Sequence, residues 1–287
     1  MSLAPIGRPW RIVIFSTVAP AVLGFDAILR AAGHEPVAVL APRLPEDADP
    51  RRREFYNAMV EGAPAGLDVC LVPSKDRLPR LVAAYEPDLG LCMGYPWKLP
   101  REVLEIPRLG VLNGHPSLLP RHRGPIPMAW AFREGDAEFG MTYHLMDEEF
   151  DTGPVLAQGS LPMPPDAWFD DLRPLFPELV QELLPKALAR LAAGDRGDPQ
   201  SEEGATYAGL FEEDYVYVDW SKPALEIHTQ ARAWSVAFAF RAGERGPIAD
   251  LAGERLRLLR TSLTEIAGAR RVECGVGPLW IVESEPA

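Results

Sequence analysis

Cysteine, long apolar runs and positive charge are all scarce in this chain of 287 residues. The three cysteines are widely spaced in apolar surroundings, and they predict buried reduced thiols of a cytoplasmic protein rather than a disulfide framework. No apolar run reaches the length of a membrane span, and no charged-then-apolar signal sequence opens the chain. We therefore expect no membrane partner.

The charge balance is acidic, with 29 Lys and Arg residues against 41 Asp and Glu residues and a net charge of -12. Binding along a phosphate backbone needs clustered basic side chains, so a broad nucleic-acid interface is not expected. The histidines and cysteines lack the spacing of metal ligands, and we expect no metal site. The turn at residues 16–20 lacks a G-x-G-x-x-G pattern, which disfavours dinucleotide binding.

What the sequence does contain is a regular alternation of short apolar runs and helical segments. Its period predicts strands at residues 10–15, 36–40, 68–72, 89–93 and 109–112, separated by helices at 20–32, 51–61, 74–85 and 100–104. This alternation predicts an α/β fold with a mainly parallel, Rossmann-like sheet and helices on both faces. Further along we expect a short helix at 128–133, strands at 140–145 and 154–161, and a long helix at about 166–193 that bends at Pro185.

A polar, Gly-rich segment at residues 194–206 is the best linker in the sequence. We expect a catalytic domain over residues 1–193 and a small, β-rich C-terminal domain over residues 207–287. Within that second domain the pattern predicts a helix at 224–233 and short strands at 237–241, 255–261, 272–274 and 279–282. Pattern alone leaves both a barrel and a sandwich open.

Candidate functional residues occur in two pieces, residues 109–127 and 146–156. In the first, an apolar strand breaks at Asn113 and His115 into a loop rich in Pro and Arg, and the second carries Asp151. Ligands of open α/β sheets lie outside the carboxyl ends of strands. An amide can stabilise an oxyanion, an imidazole can move a proton, and a carboxylate can orient that imidazole, which suits acyl transfer without a covalent intermediate. The alternatives are a structural histidine and a turn-forming aspartate.

The same residues carry a resemblance to the folate-dependent formyltransferases, through the motif Asn113-x-His115-x-Ser117-Leu118-Leu119-Pro120-x-x-Arg123-Gly124 followed by Asp151-Thr152-Gly153. A second resemblance, to the opening of the C-terminal domain in the tRNA-acting and sugar-acting branches, lies in Tyr207, Asp219-Trp220-Ser221-Lys222-Pro223 and Ile227-His228. The resemblance thus covers most of the chain. It implies an OB-like open barrel for residues 207–287.

The resemblance also implies a donor and roles for individual residues. The donor would be 10-formyltetrahydrofolate, acting as co-substrate, and a primary amine would attack its formyl group. Asn113 matches the oxyanion stabiliser of the family, His115 its acid/base and Asp151 the supporting carboxylate. The donor is expected to contact the segment of Tyr95, Trp97, Lys98 and Leu99, the turn of Ser117, Leu118, Leu119 and Pro120, and the loop of Asp147, Glu148, Glu149 and Phe150.

Departures from the tRNA-acting pattern favour a small-molecule amine as acceptor over tRNA. Acidic residues interrupt the arginines of residues 42–53, and residues 233–240 replace a Pro-Gly-Ala turn. Candidates are an amino sugar, an amino acid, hydroxylamine or an intermediate of secondary metabolism. Ser16 and Thr17 are predicted to bind it, with a helix N-cap as the alternative. Methionyl-tRNA formyltransferase, formyltetrahydrofolate hydrolase and a non-catalytic binding module remain alternatives, and no oligomeric state is predicted.

Overall fold

A computed structural model describes residues 8–48, 50–240 and 246–287 of the protein. The seven strands of its larger sheet and the helices between them follow in chain order as β1 (Arg11–Ser16), α1 (Ala19–Ala31), β2 (Glu35–Pro42), α2 (Pro50–Glu61), β3 (Asp68–Val72), α3 (Leu78–Ala84), β4 (Leu89–Met93), α4 (Arg101–Leu104), β5 (Val111–His115), α5 (Pro127–Glu134), β6 (Glu138–Leu145) and β7 (Val155–Pro162).

The spatial order of this sheet is β3-β2-β1-β4-β5-β6-β7. The five strands from β3 to β5 are parallel, whereas β6 runs antiparallel to β5. Successive residues Ile12, Val13 and Ile14 of β1 are all fully buried. Since neighbouring side chains of a strand point to opposite faces, both faces of the sheet are covered. The predicted α/β fold with a mainly parallel sheet is confirmed.

The position of the candidate residues follows from the order of the strands. The chain leaves β1 towards β2 and β3 and then returns to the other side of β1 with β4 and β5. Such a reversal makes a crevice outside the carboxyl ends of the two central strands, where open α/β sheets bind ligands. Ser16 is the last residue of β1, Met93 the last of β4 and His115 the last of β5. The predicted residues 16–17, 95–99 and 117–120 therefore follow strands that end at one edge, whereas residues 147–151 follow the antiparallel β6.

The long helix predicted at 166–193 is interrupted. The structure has α6 (Phe169–Leu172), a 3₁₀ turn (Arg173–Leu175) and α7 (Phe176–Ala192). Pro174 and Pro177 explain the break, because a proline has no backbone N–H to donate to the preceding helical turn. Pro185 lies inside α7 as predicted, and the helix buries an apolar stripe that includes Leu179, Leu183, Ala187 and Leu191.

The C-terminal part contains α8 (Ala224–Phe240), β8 (Ile248–Leu251), β9 (Glu254–Ser262), β10 (Arg270–Glu273) and β11 (Pro278–Pro286). The four strands form an antiparallel half-barrel in the order β10-β11-β9-β8, so the predicted small β-rich domain is confirmed. The strand predicted at 237–241 is wrong over residues 237–240, and residue 241 lies outside the described residues. Neither Gly nor Pro interrupts α8, and extending an existing helix is easier than nucleating a new element.

The chain divides into two compact units. The first comprises the described residues up to Arg123 together with Gly140–Ser160 and Phe176–Ala205, and the second comprises Gly124–Phe139, Leu161–Leu175 and Thr206–Ala287. Both candidate pieces, up to Arg123 and around Asp151, belong to the first unit. The boundaries expected at 193 and 207 stay a prediction. Among the described residues, no helix combines the length and apolar character needed to cross a bilayer.

Candidate active site

The end of β5 presents two of the predicted catalytic side chains. Asn113 and His115 are two residues apart, so both point to the same face, and they are buried, with exposed fractions of 9% and 4%. Gly114 lies between them. A Cβ at this position would stand 2.6 Å from Met93 Cε and 3.1 Å from Tyr143 Cε1, which explains the glycine. The packing of the opposite face therefore fixes the strand that carries both polar groups.

Asp151 reaches the same place from the loop between β6 and β7. Its backbone is left-handed, with φ of 57°, a conformation that is uncommon outside Gly, Asn and Asp. Asp147 closes this loop, because its Oδ1 accepts hydrogen bonds from Thr152 Oγ1 at 2.7 Å and from the backbone N–H of Glu149 at 3.1 Å. The loop is thus built around an internal hydrogen-bonded turn that presents Asp151.

One oxygen of Asp151 is the meeting point of the cluster. Asn113 Nδ2 donates to Asp151 Oδ1 at 3.2 Å, and His115 Nδ1 lies 3.5 Å from the same oxygen. His144 Nε2 lies 3.4 Å from it. The structure therefore brings together the trio predicted from the sequence and adds His144, while the catalytic roles stay a prediction.

The hydrogen bonds determine which nitrogen of His115 carries the proton. Nε2 lies 2.8 Å from the carbonyl oxygen of His122. A carbonyl can only accept, so Nε2 is the protonated nitrogen and Nδ1 of the neutral ring carries a lone pair facing Asp151. Burial lowers the pKa of His115, and the Asp151 carboxylate opposes that effect in part. His115 is therefore neutral at neutral pH, and a proton arriving at Nδ1 would meet a carboxylate.

His144 was missed from the sequence. It lies opposite Asn113 in the β5–β6 pairing and is 1% exposed. Its Nδ1 lies 3.1 Å from the carbonyl oxygen of Leu145, which assigns the proton to Nδ1 and leaves Nε2 as an acceptor for Asn113 Nδ2 at 3.1 Å. Both amide hydrogens of Asn113 are thus engaged, so its nitrogen is oriented towards the cluster.

A cysteine also borders the cluster. Cys92 pairs with Asn113 across the β4–β5 register and is buried. Burial, with a smaller contribution from the Asp151 carboxylate, raises the pKa of the Cys92 thiol. Because the thiolate is the nucleophilic form, Cys92 does not provide a nucleophile at neutral pH. The cluster offers oxyanion stabilisation and proton transfer instead.

The predicted donor-binding residues of two segments lie side by side. Lys98 Nζ is 4.0 Å from a carboxylate oxygen of Glu149 and 4.9 Å from the centre of the Phe150 ring. Glu148 forms an ion pair of 3.3 Å with Arg101. Segment 95–99 and loop 147–150 therefore form one wall of the crevice.

Tyr95 contributes an aromatic ring to segment 95–99. Its ring packs edge-on against Phe15 and Trp97, and Leu99 is buried beside it in the core. The Tyr95 hydroxyl is buried and makes no hydrogen bond with the described residues. Buried polar atoms are usually satisfied, so this enclosed hydroxyl, which lies near Cys92 and Tyr56, is an exception.

The third predicted segment, from Ser117 to Pro120, is held against β6. Thr142 Oγ1 donates to the Ser117 carbonyl oxygen at 2.7 Å and accepts from the Leu119 N–H at 3.3 Å. A Cβ on Gly140 would lie 2.5 Å from Leu118 Cγ, so this glycine lets the turn approach the strand. The peptide bond before Pro120 is cis. Since Thr142 pairs with His115, the turn adjoins the cluster around Asp151.

Ser16 and Thr17 make local hydrogen bonds at the end of β1. Ser16 Oγ accepts from the backbone N–H of Val18 at 3.1 Å, while the N-cap of α1 is Val18 itself. Thr17 Oγ1 donates to the carbonyl oxygen of Gly94 at 2.9 Å. Because the Thr17 hydroxyl already donates its proton to Gly94, it can only accept a hydrogen bond from a ligand. Gly94 precedes Tyr95, so Thr17 lies beside the wall expected to bind the donor.

Comparisons with known proteins agree with this geometry. A family model described as formyl transferase matches residues 72–188. A methionyl-tRNA formyltransferase of Roseiflexus sp. (strain RS-1) is 34% identical over 290 residues, covering 97% of this chain and 89% of the relative. Among solved structures, HypX from Aquifex aeolicus in complex with tetrahydrofolic acid has a TM-score of 0.67 and 21% identity, covering 96% of this chain and 44% of HypX. A sugar N-formyltransferase from Shewanella sp FDAARGOS_354 has a TM-score of 0.65 and 18% identity, covering 90% of this chain and 99% of that one.

Proposed function

The chain belongs to the formyl transferase family, and we propose that it transfers the formyl group of 10-formyltetrahydrofolate to a primary amine. The observation that carries this proposal is the convergence of Asn113, His115 and His144 on one oxygen of Asp151. An oriented amide, a buried neutral imidazole and a carboxylate are the groups that direct acyl transfer requires.

Each side chain has a separate task in this reaction. Bound 10-formyltetrahydrofolate supplies an activated formyl carbon, which the amine attacks directly. Nδ1 of His115 takes the proton that the attacking amine loses, and the resulting imidazolium is stabilised by Asp151 at 3.5 Å. Asn113 gives up its hydrogen bond to His144 Nε2 and donates that amide hydrogen to the developing oxyanion. His115 then returns its proton to the departing nitrogen, which restores the neutral ring.

The donor is assigned to the crevice beside β4. The partly buried rings of Tyr95 and Trp97 can provide apolar surface for a pterin, and Leu99 is buried in the same core cluster. A relative in fold, HypX, has been solved in complex with tetrahydrofolic acid. These observations support a folate donor at segment 95–99 and loop 147–150.

Methionyl-tRNA is the acceptor that the sequence relatives favour. The Roseiflexus relative carries that activity in its name, and its similarity extends over 97% of this chain, including the C-terminal β-rich part. The sugar N-formyltransferase is similar at 18% identity, a level that supports the fold alone. The order of the two acceptors expected from the sequence is therefore reversed, with methionyl-tRNA as the first acceptor to test.

A small amine remains the second candidate because of the loop after β2. Arg53 of α2 donates to three carbonyl oxygens of this loop, those of Ala48 and Pro45, both at 3.2 Å, and that of Glu46. A guanidinium that closes the preceding loop is less available to phosphate, and the net charge of -12 also disfavours tRNA binding.

The deciding experiment offers both acceptors to the purified enzyme with 10-formyltetrahydrofolate. Formylated methionyl-tRNA and formylated small amines, including a nucleotide-linked amino sugar, are quantified by mass spectrometry at several salt concentrations. A strong fall in rate with salt, seen for tRNA only, would support the tRNA acceptor because phosphate contacts are screened. Release of formate without any formylated amine would show a hydrolase instead and would overturn the proposal.

Thr17→Val tests the proposed contact of the first turn with the acceptor. We expect the KM for the acceptor to rise by roughly tenfold, as for one lost hydrogen bond to a substrate, while the dissociation constant of the folate stays unchanged. Thr17→Ser keeps the hydroxyl and serves as the control. Equal weakening of folate binding would assign Thr17 to the donor wall beside Gly94.

A further inference from the structure

Gln200 links the segment after α7 to the loop that carries Asp151. Its Nε2 donates to the carbonyl oxygens of Asp151 and Gly153, both at 2.8 Å. These two carbonyls flank Thr152, so one amide group holds the backbone on either side of it. The contact lies within the first compact unit.

The orientation of the Gln200 amide is determined by its partners. Arg123 donates to Gln200 Oε1 from Nε at 3.2 Å and from Nη2 at 3.1 Å. An arginine can only donate and a carbonyl can only accept, so the oxygen faces Arg123 and the NH₂ group faces the loop. The Arg123 side chain is 11% exposed and also pairs with Glu202 at 3.1 Å.

We propose that Gln200 is a positioning residue for the catalytic reaction, which holds Asp151 in its left-handed conformation so that Oδ1 meets His115 and Asn113. The inference rests on the proposed function for its kinetic effect. Three distances support it, since Asp151 Oδ1 lies 3.2 Å from Asn113 Nδ2, 3.5 Å from His115 Nδ1 and 3.4 Å from His144 Nε2. A backbone rotation at Asp151 would change all three together.

The backbone conformation of the loop requires such support. A left-handed aspartate is higher in energy than the same residue in an extended or right-handed conformation, so surrounding contacts must select it. The two hydrogen bonds from Gln200 act on the carbonyl of Asp151 itself and on that of Gly153. Arg123, from the motif loop, orients the amide that makes them. The segment predicted as a linker thus takes part in shaping the site.

Two substitutions distinguish a role of Gln200 in positioning the loop from a role in holding Arg123. Gln200→Leu removes both functions without adding charge. Gln200→Glu keeps an oxygen for Arg123 but places an acceptor against two carbonyls. If Gln200 positions the loop, both variants lose kcat by roughly tenfold to a hundredfold, as expected when a catalytic group is misplaced. If it serves Arg123 alone, the Glu variant retains normal kcat, and the proposal is overturned.

The pH profile supplies a readout that simple loss of stability would not move. Asp151 raises the pKa of His115, so its displacement in Gln200→Leu should shift the acid limb of kcat to lower pH. Gln230→Leu is a matched control, because Gln230 Nε2 likewise donates to two carbonyls, those of Tyr215 at 2.6 Å and Tyr217 at 3.1 Å, in the second unit. The control should leave the acid limb unchanged. If the acid limb of kcat is not shifted in Gln200→Leu, Gln200 does not position Asp151.

Amide hydrogen exchange tests the inference independently of any acceptor. Peptides covering residues 146–153 should exchange faster in Gln200→Leu than in the parent enzyme, whereas in Gln230→Leu they should not. Unchanged exchange in this loop would overturn the proposal. If the parent enzyme formylated no amine but the exchange result held, the proposed function would fail while the structural role of Gln200 stood.

Discussion

Asp151→Asn is expected to lower kcat for formyl transfer by roughly a hundredfold to ten-thousandfold, the usual contribution of a positioned acid–base pair. The substitution keeps the size of the side chain but removes the negative charge 3.5 Å from His115 Nδ1. The imidazolium that forms during proton transfer then loses its counter-charge. His115→Ala should cause a loss of the same order, because the proton acceptor itself is absent. Steady-state kinetics of formyl transfer measure both.

The pH dependence of the residual activity shows whether Asp151 raises or lowers the pKa of His115. Burial lowers the pKa of His115 and Asp151 raises it. The working base is the neutral ring, so activity rises with pH through this pKa. Without the carboxylate the pKa falls further, and the acid limb of Asp151→Asn should move to lower pH. Asp170→Asn, which changes an exposed carboxylate paired with Arg173, is the control and should behave like the parent enzyme. Near-normal turnover in Asp151→Asn or His115→Ala would remove the catalytic assignment.

The parallel part of the fold could be predicted because its strands are continuous apolar runs. The strand at Asp68–Val72 and the strand at Leu89–Met93 have the predicted bounds. Such runs are what a sheet buried on both faces requires. The error at residues 237–240 has the opposite origin, since the run of Ala and Phe alternates like a strand but continues an established helix. At these residues the local alternation favours a strand, but extension of the existing helix is more favourable, and the segment is helical.

The residues of the site also divide into those that the sequence could predict and those that it could not. Asn113, His115 and Asp151 could be proposed because each occupies a recognisable strand end or turn. His144 and Gln200 could not, because their roles depend on distant pairings. His144 meets Asn113 only through the register of β5 against β6. Gln200 meets Asp151 through a contact 49 positions apart in the chain. A polar residue within a strand or a linker carries no local signal of such a partner.

Gly153→Ala is expected to have the largest effect on the fold of the site. A Cβ at residue 153 would lie 1.7 Å from the carbonyl oxygen of Leu145 and 2.9 Å from its carbonyl carbon. Both atoms are backbone, so no side chain can rotate away to make room. The Leu145 N–H donates to the carbonyl oxygen of Pro154 at 3.0 Å, which clamps the ends of β6 and β7 at this point.

The added methyl group must therefore separate β6 from the loop, and Asp151 moves with it. We expect the free energy of unfolding to fall by about 1–3 kcal/mol, the usual effect of overpacking, and kcat to fall as well because Asp151 leaves His115. Gly24→Ala is the matched control. A Cβ there meets nothing within 4 Å, and inside helix α1 alanine should raise stability by about 0.5–1 kcal/mol relative to glycine. Denaturant unfolding and steady-state kinetics of the two variants check both expectations, and equal stability of Gly153→Ala and the parent enzyme would show that the loop has another arrangement in solution.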